Sequence, residues 1–131
     1  MGNLALKTVT VPFLDAPTGK PIKVDAELAR TSEETTRGLM YRTKMDEDKG
    51  MLFDLHERKE HAFWMHNTCM PLDMMFIDDD GTIVGILENV PVLNDDERTV
   101  GCPSSWVLEV VAGWSRRHGV RAGQHVAVPK R

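Results

Sequence analysis

Two acidic residues, Asp73 and Glu88, lie on predicted strands that flank a turn rich in aspartate and glycine. If Asp80 and Gly81 form a two-residue turn, Asp73 lies directly opposite Glu88 in the hairpin. Two carboxylates at cross-strand distance repel each other, so the pair would need a shared proton, a metal ion or a cation such as Arg37. This geometry predicts an acid/base site of the kind that a hydrolase uses.

A longer turn removes that carboxylate pair. With a three-residue turn and a glycine bulge, the register shifts and Asp73 faces Leu87 instead. Asp73 is then a cap or turn acceptor, and Glu88 is an edge residue. This structural interpretation is the favoured one, and the acid/base pair is the alternative.

Polar and aromatic residues before the hairpin form a second group of candidates. Asn67 and Thr68 lie on a connection between two predicted strands, where a rigid scaffold often displays functional groups, and Trp64 could line a pocket. Each has a more ordinary role, because loop amides and hydroxyls bond to nearby backbone and tryptophan fills cores. The leading hypothesis is a non-catalytic accessory domain that binds a small molecule or a protein partner. Its candidate surface comprises Arg37, Trp64, Asn67, Thr68, Asp73 and Glu88.

Soft metal donors are dense in one stretch of the chain. The donors are Met65, His66, Cys69, Met70, Met74 and Met75, which makes copper(I) conceivable. Methionine is also a flexible core filler, and strand alternation sends Met74 and Met75 to opposite faces, so packing is favoured. No compact zinc motif, nucleophile elbow, phosphate loop or dinucleotide fingerprint is present, so we expect no metal and no cofactor. Cys69 and Cys102 either form a single disulfide or serve as small apolar fillers.

The hydrophobic pattern predicts several short strands and two short helices. Thr31 and Glu34 fit a capping box, which starts a helix that should run to about Met40. A second helical stretch covers residues 112–118 and ends at Gly119. The predicted strands are residues 8–13, 22–29, 50–55, 61–65, 72–78, 82–90, 106–111 and 125–128, with a turn at 17–21 after the first.

These elements indicate one β-rich α+β domain over residues 1–131. We expect a small curled antiparallel sheet, or a barrel-like sandwich, with the two short helices at its edge. The chain is 41% hydrophobic and 27% charged, which is typical of a folded soluble protein. Its net charge of -4 argues against nucleic acid as a partner, and no stretch is long and apolar enough to span a membrane.

An ordered series of short motifs resembles a known prokaryotic family. The motifs include Arg37-Gly38-Leu39-Met40, Gly50-Met51-Leu52-Phe53, Phe63-Trp64-Met65, Asn67-Thr68, Pro71-Leu72-Asp73, Phe76-Ile77-Asp78 and Leu108-Glu109-Val110. Over residues 26–128 the chain resembles domain-of-unknown-function family one-nine-two, an uncharacterised family. The resemblance implies a compact β-rich domain and carries no reaction, substrate or catalytic residue.

The same resemblance bears on compartment and on one late turn. Family members often carry an export or lipoprotein leader, which implies a periplasmic or cell-envelope setting if a leader has been removed. Otherwise a cytoplasmic location is expected. Gln124 departs from the aspartate that is common after the late glycine, which puts a local turn contact in question.

Overall fold

The computed structural model describes residues 6–15, 17, 19 and 21–130. In chain order the elements are β1 (Thr8–Phe13), β2 (Ile22–Ala29), α1 (Ser32–Arg37), β3 (Lys49–Lys59), β4 (Leu72–Ile77), β5 (Ile83–Val90), β6 (Ser104–Val111) and α2 (Trp114–Arg117). Part of the turn predicted at 17–21, namely Thr18 and Lys20, lies outside the described residues. Neither helix in the described ranges has the length and apolar character needed to cross a membrane.

The six strands form one curled mixed sheet in the order β1-β2-β3-β6-β4-β5. The β-rich α+β class with a curled sheet and two short helices is confirmed. Four of the five strand pairings are antiparallel, as expected, and one is parallel. Strand β2 pairs with β3 in parallel, with Leu28 opposite Leu52. The reason is that α1 lies between these strands, and a crossover through a helix returns the chain in the same direction whereas a tight turn reverses it.

The C-terminal segment links the two edge strands without closing the sheet into a barrel. Val126 bridges to Phe13 at the end of β1, and His125 bridges to Thr82 just before β5. The predicted strand at 125–128 is therefore only a pair of isolated bridges. Gly81 makes this possible, because a Cβ at that position would lie 2.1 Å from the carbonyl oxygen of Val126.

The predicted strand at 61–65 is also wrong. This stretch forms a single isolated bridge, between Phe63 and Arg98, and the amide of Met65 donates to the carbonyl of Asn94 at 2.9 Å. Its backbone is paired with an irregular segment outside the sheet. The alternating pattern of residues 61–65 reflects packing over one sheet face, which produces the same periodicity as a strand.

Side chains from the two sheet faces form two separate hydrophobic clusters. One face, which we call the α2 face, includes Leu52, Met75, Leu108, Trp114 and Val126. The other, the α1 face, includes Leu39, Phe53, Met65, Met74 and Val107. Met74 and Met75 thus lie on opposite faces, as strand alternation predicted.

Helix α1 begins at the predicted capping box and ends earlier than predicted. The Thr31 hydroxyl accepts a hydrogen bond from the Glu34 amide at 3.1 Å, and the Glu34 carboxylate accepts one from the Thr31 amide at 3.2 Å. The helix stops at Gly38, whose φ of 48° and ψ of −130° suit glycine alone. A Cβ on Gly38 would approach the Phe53 ring to 3.2 Å, so close packing fixes this end.

The hairpin between β4 and β5 has the longer of the two turns considered. The amide of Asp78 donates to the carbonyl of Thr82 at 2.8 Å, which leaves three residues in the turn, and Gly81 has a φ of 88°. A bulge next to Phe76 then shifts the register, so that Met74 lies opposite Leu87.

A second bulge sets the surroundings of Asp73. Leu72 pairs with Val90 and Met74 with Leu87, so two residues of β5, Glu88 and Asn89, face Asp73. Neither of the two simple registers considered from the sequence describes this pairing. Cys69 and Cys102 are both free, with Cys69 half-buried and Cys102 exposed, so the alternative of a disulfide does not hold.

Candidate functional site

A buried acidic side chain lies at the base of a pocket on the α1 face. Glu109 is on β6, paired with Met51 of β3 on one side and with Met74 of β4 on the other. It is only 4% exposed. Within the part of the chain that the structure describes, no hydrogen bond or ion pair is formed by its carboxyl group.

Burial changes the acidity of this carboxyl group. Removal from water raises the pKa of Glu109 to about 8, with no nearby charge contributing to the shift. A buried carboxylate without a partner is strongly disfavoured, so the group holds its proton at neutral pH. Glu109 is then a hydrogen-bond donor as well as an acceptor, inside an otherwise apolar pocket base.

The pocket has a volume of about 300 Å³, at the lower end of the range for small-molecule sites. Its walls come from the end of α1, from β3 and from the segment that precedes β4. The lining residues are 35–40, 61–64, Phe53, Leu55, His66, Thr68 and Glu109. We call this cavity the Glu109 pocket.

Aromatic rings form much of the pocket wall. Phe53 and Phe63 meet edge to face, with centroids 5.1 Å apart and an interplanar angle of 89°. Trp64 is 43% exposed and stacks on His66 at 4.7 Å. His66 is held in turn by Asp95, whose carboxylate lies 2.8 Å from the ring Nδ1. Such ring faces and edges suit a flat ligand.

A network of strained residues holds the pocket wall in place. Tyr41, Asn67 and Leu93 all have positive φ, at 66°, 52° and 49°, which non-glycine residues rarely adopt. The Tyr41 amide donates to the Asn67 carbonyl at 2.8 Å, and the Leu93 amide donates to the Thr68 carbonyl at 2.9 Å. Backbone strain of this kind often concentrates beside functional sites.

Three of the six residues proposed from the sequence line the Glu109 pocket: Arg37, Trp64 and Thr68. Arg37 comes from the last turn of α1, and the Thr68 hydroxyl donates to the carbonyl of His66 at 3.3 Å. Asn67 is next to the pocket and supports it, because its side-chain amide donates to the Tyr41 hydroxyl at 2.9 Å.

Asp73 lies on the opposite face of the sheet and has structural partners. Its carboxylate accepts hydrogen bonds from the backbone amides of Asn89, Gly113 and Ser115, at 2.9 to 3.0 Å. The side chain is fully buried. These three bonds tie β4 to the β5 bulge and to the start of α2.

Glu88 lines a different cavity, beside α2. Its carboxylate lies 3.8 Å from the guanidinium of Arg116, an exposed residue. The cavity has a volume of about 440 Å³ and also includes Ser115 and Arg121. Asp73 and Glu88 are therefore held by separate partners, and the structure does not bring either of them into the pocket with Arg37.

The soft-donor residues are distributed between the two hydrophobic clusters. Met65, Met70 and Met74 pack on the α1 face, and Met75 packs on the α2 face. The Cys69 thiol donates to the carbonyl of Asn67 at 3.8 Å. No group of three His, Cys, Asp or Glu side chains suited to a metal ion is found among residues 6–15, 17, 19 and 21–130.

Glu109 was not among the candidates proposed from the sequence. It lies two residues after Val107, on the same face of a segment that is predicted to be a buried strand. An acidic residue within such a strand is itself a signal, because a strand buried on both faces must also bury its charged side chain.

Gln124 makes local turn contacts near the C-terminus: its side chain accepts from the Arg121 amide and donates to the Gly119 carbonyl.

Comparison with protein families gives one matching family, which is described as uncharacterised. Residues 14–128 match the model of domain-of-unknown-function family one-nine-two, described as "Uncharacterized ACR". A search of functionally curated proteins gives no significant match.

Two solved structures share the fold. One is a protein of Sinorhizobium meliloti 1021 that is named as a candidate transcription regulator. It is 36% identical, with a TM-score of 0.90 over 96% of this chain and 97% of that one. The other is a protein of unknown function from Novosphingobium aromaticivorans DSM 12444, 32% identical, with a TM-score of 0.87 over 94% of this chain and 86% of that one.

Proposed function

The chain belongs to domain-of-unknown-function family one-nine-two, and we propose that it is a binding domain for a small planar organic ligand held in the Glu109 pocket. The observation that carries this proposal is the Glu109 carboxyl group, which is only 4% exposed, lines the pocket and forms no hydrogen bond or ion pair within the described part of the chain. A buried polar group without a partner costs free energy, and a ligand that hydrogen-bonds to it removes that cost.

The composition of the pocket supports the same function. Aromatic and aliphatic side chains provide about half of the lining. The polar part consists of Glu109 and Arg37, the hydroxyls of Thr35, Thr36 and Thr68, and the rings of His61 and His66. Small-molecule sites typically combine an apolar wall with a few fixed polar groups that orient the ligand. The strained contacts at Tyr41 and Asn67 hold one wall in a defined position before a ligand arrives.

A thermal-shift and ligand-observed NMR screen of one-ring and two-ring aromatic compounds tests this proposal. We expect the screen to find compounds that raise the melting temperature of the native chain. They should stabilise the control variant Glu88→Gln equally, because Glu88 lines another cavity. The same compounds should lose binding to Glu109→Leu and bind at least several-fold more weakly to Trp64→Ala. Compounds that bind Glu109→Leu as well as the native chain would show that the pocket is not the site.

Proton-transfer catalysis is the second candidate function, and the acidity of Glu109 favours it. An acid or base works best when its pKa is near the working pH, and burial raises the pKa of Glu109 to about 8. In a hydrolase of this kind, Glu109 would be the acid/base group in place of Asp73 and Glu88. We expect slow cleavage of p-nitrophenyl acetate whose rate follows the titration of Glu109. A rate that is unchanged in Glu109→Gln would exclude this role.

The name of the Sinorhizobium relative raises the question of DNA binding, which we do not propose for this chain. The net charge is -4, which offers no general attraction for phosphate groups. The two helices in the described ranges have six and four residues. They are therefore too short to act as the recognition helix that many DNA-binding domains place in the major groove. A regulatory role for this chain would therefore depend on binding a small molecule or a protein.

A further inference from the structure

The immediate neighbours of Glu109 determine which protonation state a ligand meets. The residues beside it in the sheet are Met51 and Met74, both fully buried, and neither carries a charge or a hydrogen-bond donor. Neither methionine can stabilise the ionised form of the carboxyl group. A ligand that enters at neutral pH therefore meets a carboxyl group that can donate its proton in a hydrogen bond.

Apart from Glu109, the ionisable side chains that line the pocket are basic residues. Helix α1 contributes Arg37, and the segment before β4 contributes His61 and also His66, whose ring lies 2.8 Å from the Asp95 carboxylate. Strand β3 contributes only the apolar residues Phe53 and Leu55, and Glu109 is the sole acidic residue in the lining. The guanidinium group of Arg37 disfavours a cationic ligand and tolerates an uncharged one.

The ring geometry restricts the shape of the ligand. The edge-to-face pair of Phe53 and Phe63 and the stacked pair of Trp64 and His66 present flat surfaces around a cavity of about 300 Å³. A single aromatic ring packs well against such surfaces. Its polar substituent would then point to the pocket base.

We propose that the ligand of this pocket is a planar aromatic molecule with an uncharged hydrogen-bond acceptor, a carbonyl oxygen or a ring nitrogen, which Glu109 binds as a protonated donor. This inference rests on the proposed binding function and specifies its chemistry. It also predicts that binding depends on pH. An acceptor binds only the protonated form, so affinity falls about tenfold per pH unit once Glu109 has titrated.

Benzamide and benzamidine provide a matched pair of probes, because they have nearly the same shape but benzamidine is a cation. Dissociation constants would be measured by NMR titration at about pH 7 and at about pH 9.5, on either side of the pKa of Glu109, which burial raises to about 8. We expect benzamide to bind at the lower pH and at least about tenfold more weakly at the higher pH. Benzamidine should bind more weakly than benzamide at the lower pH.

Two variants separate hydrogen bonding from packing. Glu109→Gln keeps a side-chain donor that does not titrate, so benzamide should bind with the same affinity at both pH values. Glu109→Leu has no donor and should lose benzamide binding at both. Preferential binding of benzamidine, tighter at high pH and dependent on Glu109, would overturn this inference while supporting the pocket as a binding site.

Failure of the proposed binding function can be distinguished from failure of this inference about ligand chemistry. If benzamide does not bind but other ring compounds from the screen require Glu109, the acceptor chemistry is wrong and the binding function stands. If no ring compound distinguishes the native chain from Glu109→Leu, both the inference and the proposed function are overturned.

Discussion

The carboxylate of Asp73 on β4 accepts a hydrogen bond from the backbone amide of Ser115 on α2, at 3.0 Å. The same carboxylate also accepts from the amides of Asn89 and Gly113. Two segments, the β5 bulge and the start of α2, thus share one buried acceptor on β4. A carboxylate that satisfies three backbone donors is a structural centre, and the amide of Ser115, which is buried, would otherwise have no partner in this network.

Replacing Asp73 with asparagine should destabilise the fold markedly. The side-chain NH₂ group cannot accept a hydrogen bond, so at least one of the three amides loses its partner. We expect the free energy of unfolding to fall by about 3 kcal/mol, measured by urea denaturation. Asp96→Asn changes an exposed aspartate in the same way and should alter stability by less than about 0.5 kcal/mol. Equal effects of the two substitutions would contradict the role of Asp73.

Local features of the fold could be predicted from the sequence because their partners are close in the chain. The capping box joins Thr31 to Glu34, three residues apart, and the turn glycine Gly81 is fixed by its own positive φ. The sequence favours Asp73 as a local cap or turn acceptor, whereas in the structure it accepts from backbone amides that are 16 to 42 residues away. Its partners were not predictable, because two of them lie some forty residues further along the chain.

The candidate site was only partly predictable for the same reason. Arg37, Trp64 and Thr68 were identified as candidates, and they do line one pocket. The acidic group that gives the pocket its chemistry, Glu109, was missed because its burial depends on how α1 and the segment before β4 cover β6. Pairing of Asp73 with Glu88 depended on the register, which two bulges in the hairpin altered.

The pH dependence of stability should report the titration of Glu109. Burial raises the pKa of Glu109 to about 8, so between its unfolded value of about 4.3 and this value the folded state holds a proton that the unfolded state has lost. The contribution of Glu109 to the free energy of unfolding is therefore largest below this pH range. That contribution is lost as the pH rises through the range to about 8.

Glu109→Gln removes this titration and should flatten the stability profile. At about pH 5 the variant and the native chain should have similar free energies of unfolding, whereas at about pH 9 the variant should be more stable by a few kcal/mol. Urea denaturation at several pH values measures both. If the free energies of unfolding of the native chain and of Glu109→Gln change with pH in the same way, the pKa of Glu109 is the same in the folded and unfolded states and the prediction is wrong.

Gly81 should be the least replaceable glycine of the hairpin. Its φ is 88°, and a Cβ there would lie 2.1 Å from the carbonyl oxygen of Val126. Gly81→Ala should cost about 3 kcal/mol, because backbone strain adds to displacement of the C-terminal segment. Gly101→Ala is the matched control: φ is 79° there, but nothing lies within 4 Å of the added Cβ, so the cost should be about 1 kcal/mol. Equal losses in denaturation midpoint would show that the contact with Val126 contributes nothing.

Relieving the strain beside the Glu109 pocket should stabilise the chain. Leu93 has a φ of 49° and is 64% exposed, so its side chain gains little from burial while its backbone conformation is unfavourable. Asparagine adopts positive φ more readily, and Leu93→Asn should therefore raise the free energy of unfolding by about 0.5 to 1 kcal/mol. Val92→Asn, at an exposed neighbour without positive φ, should give no such gain. A loss of stability in Leu93→Asn would mean that the leucine side chain packs more favourably than its exposure indicates, and that the strain beside the pocket is smaller than its φ implies.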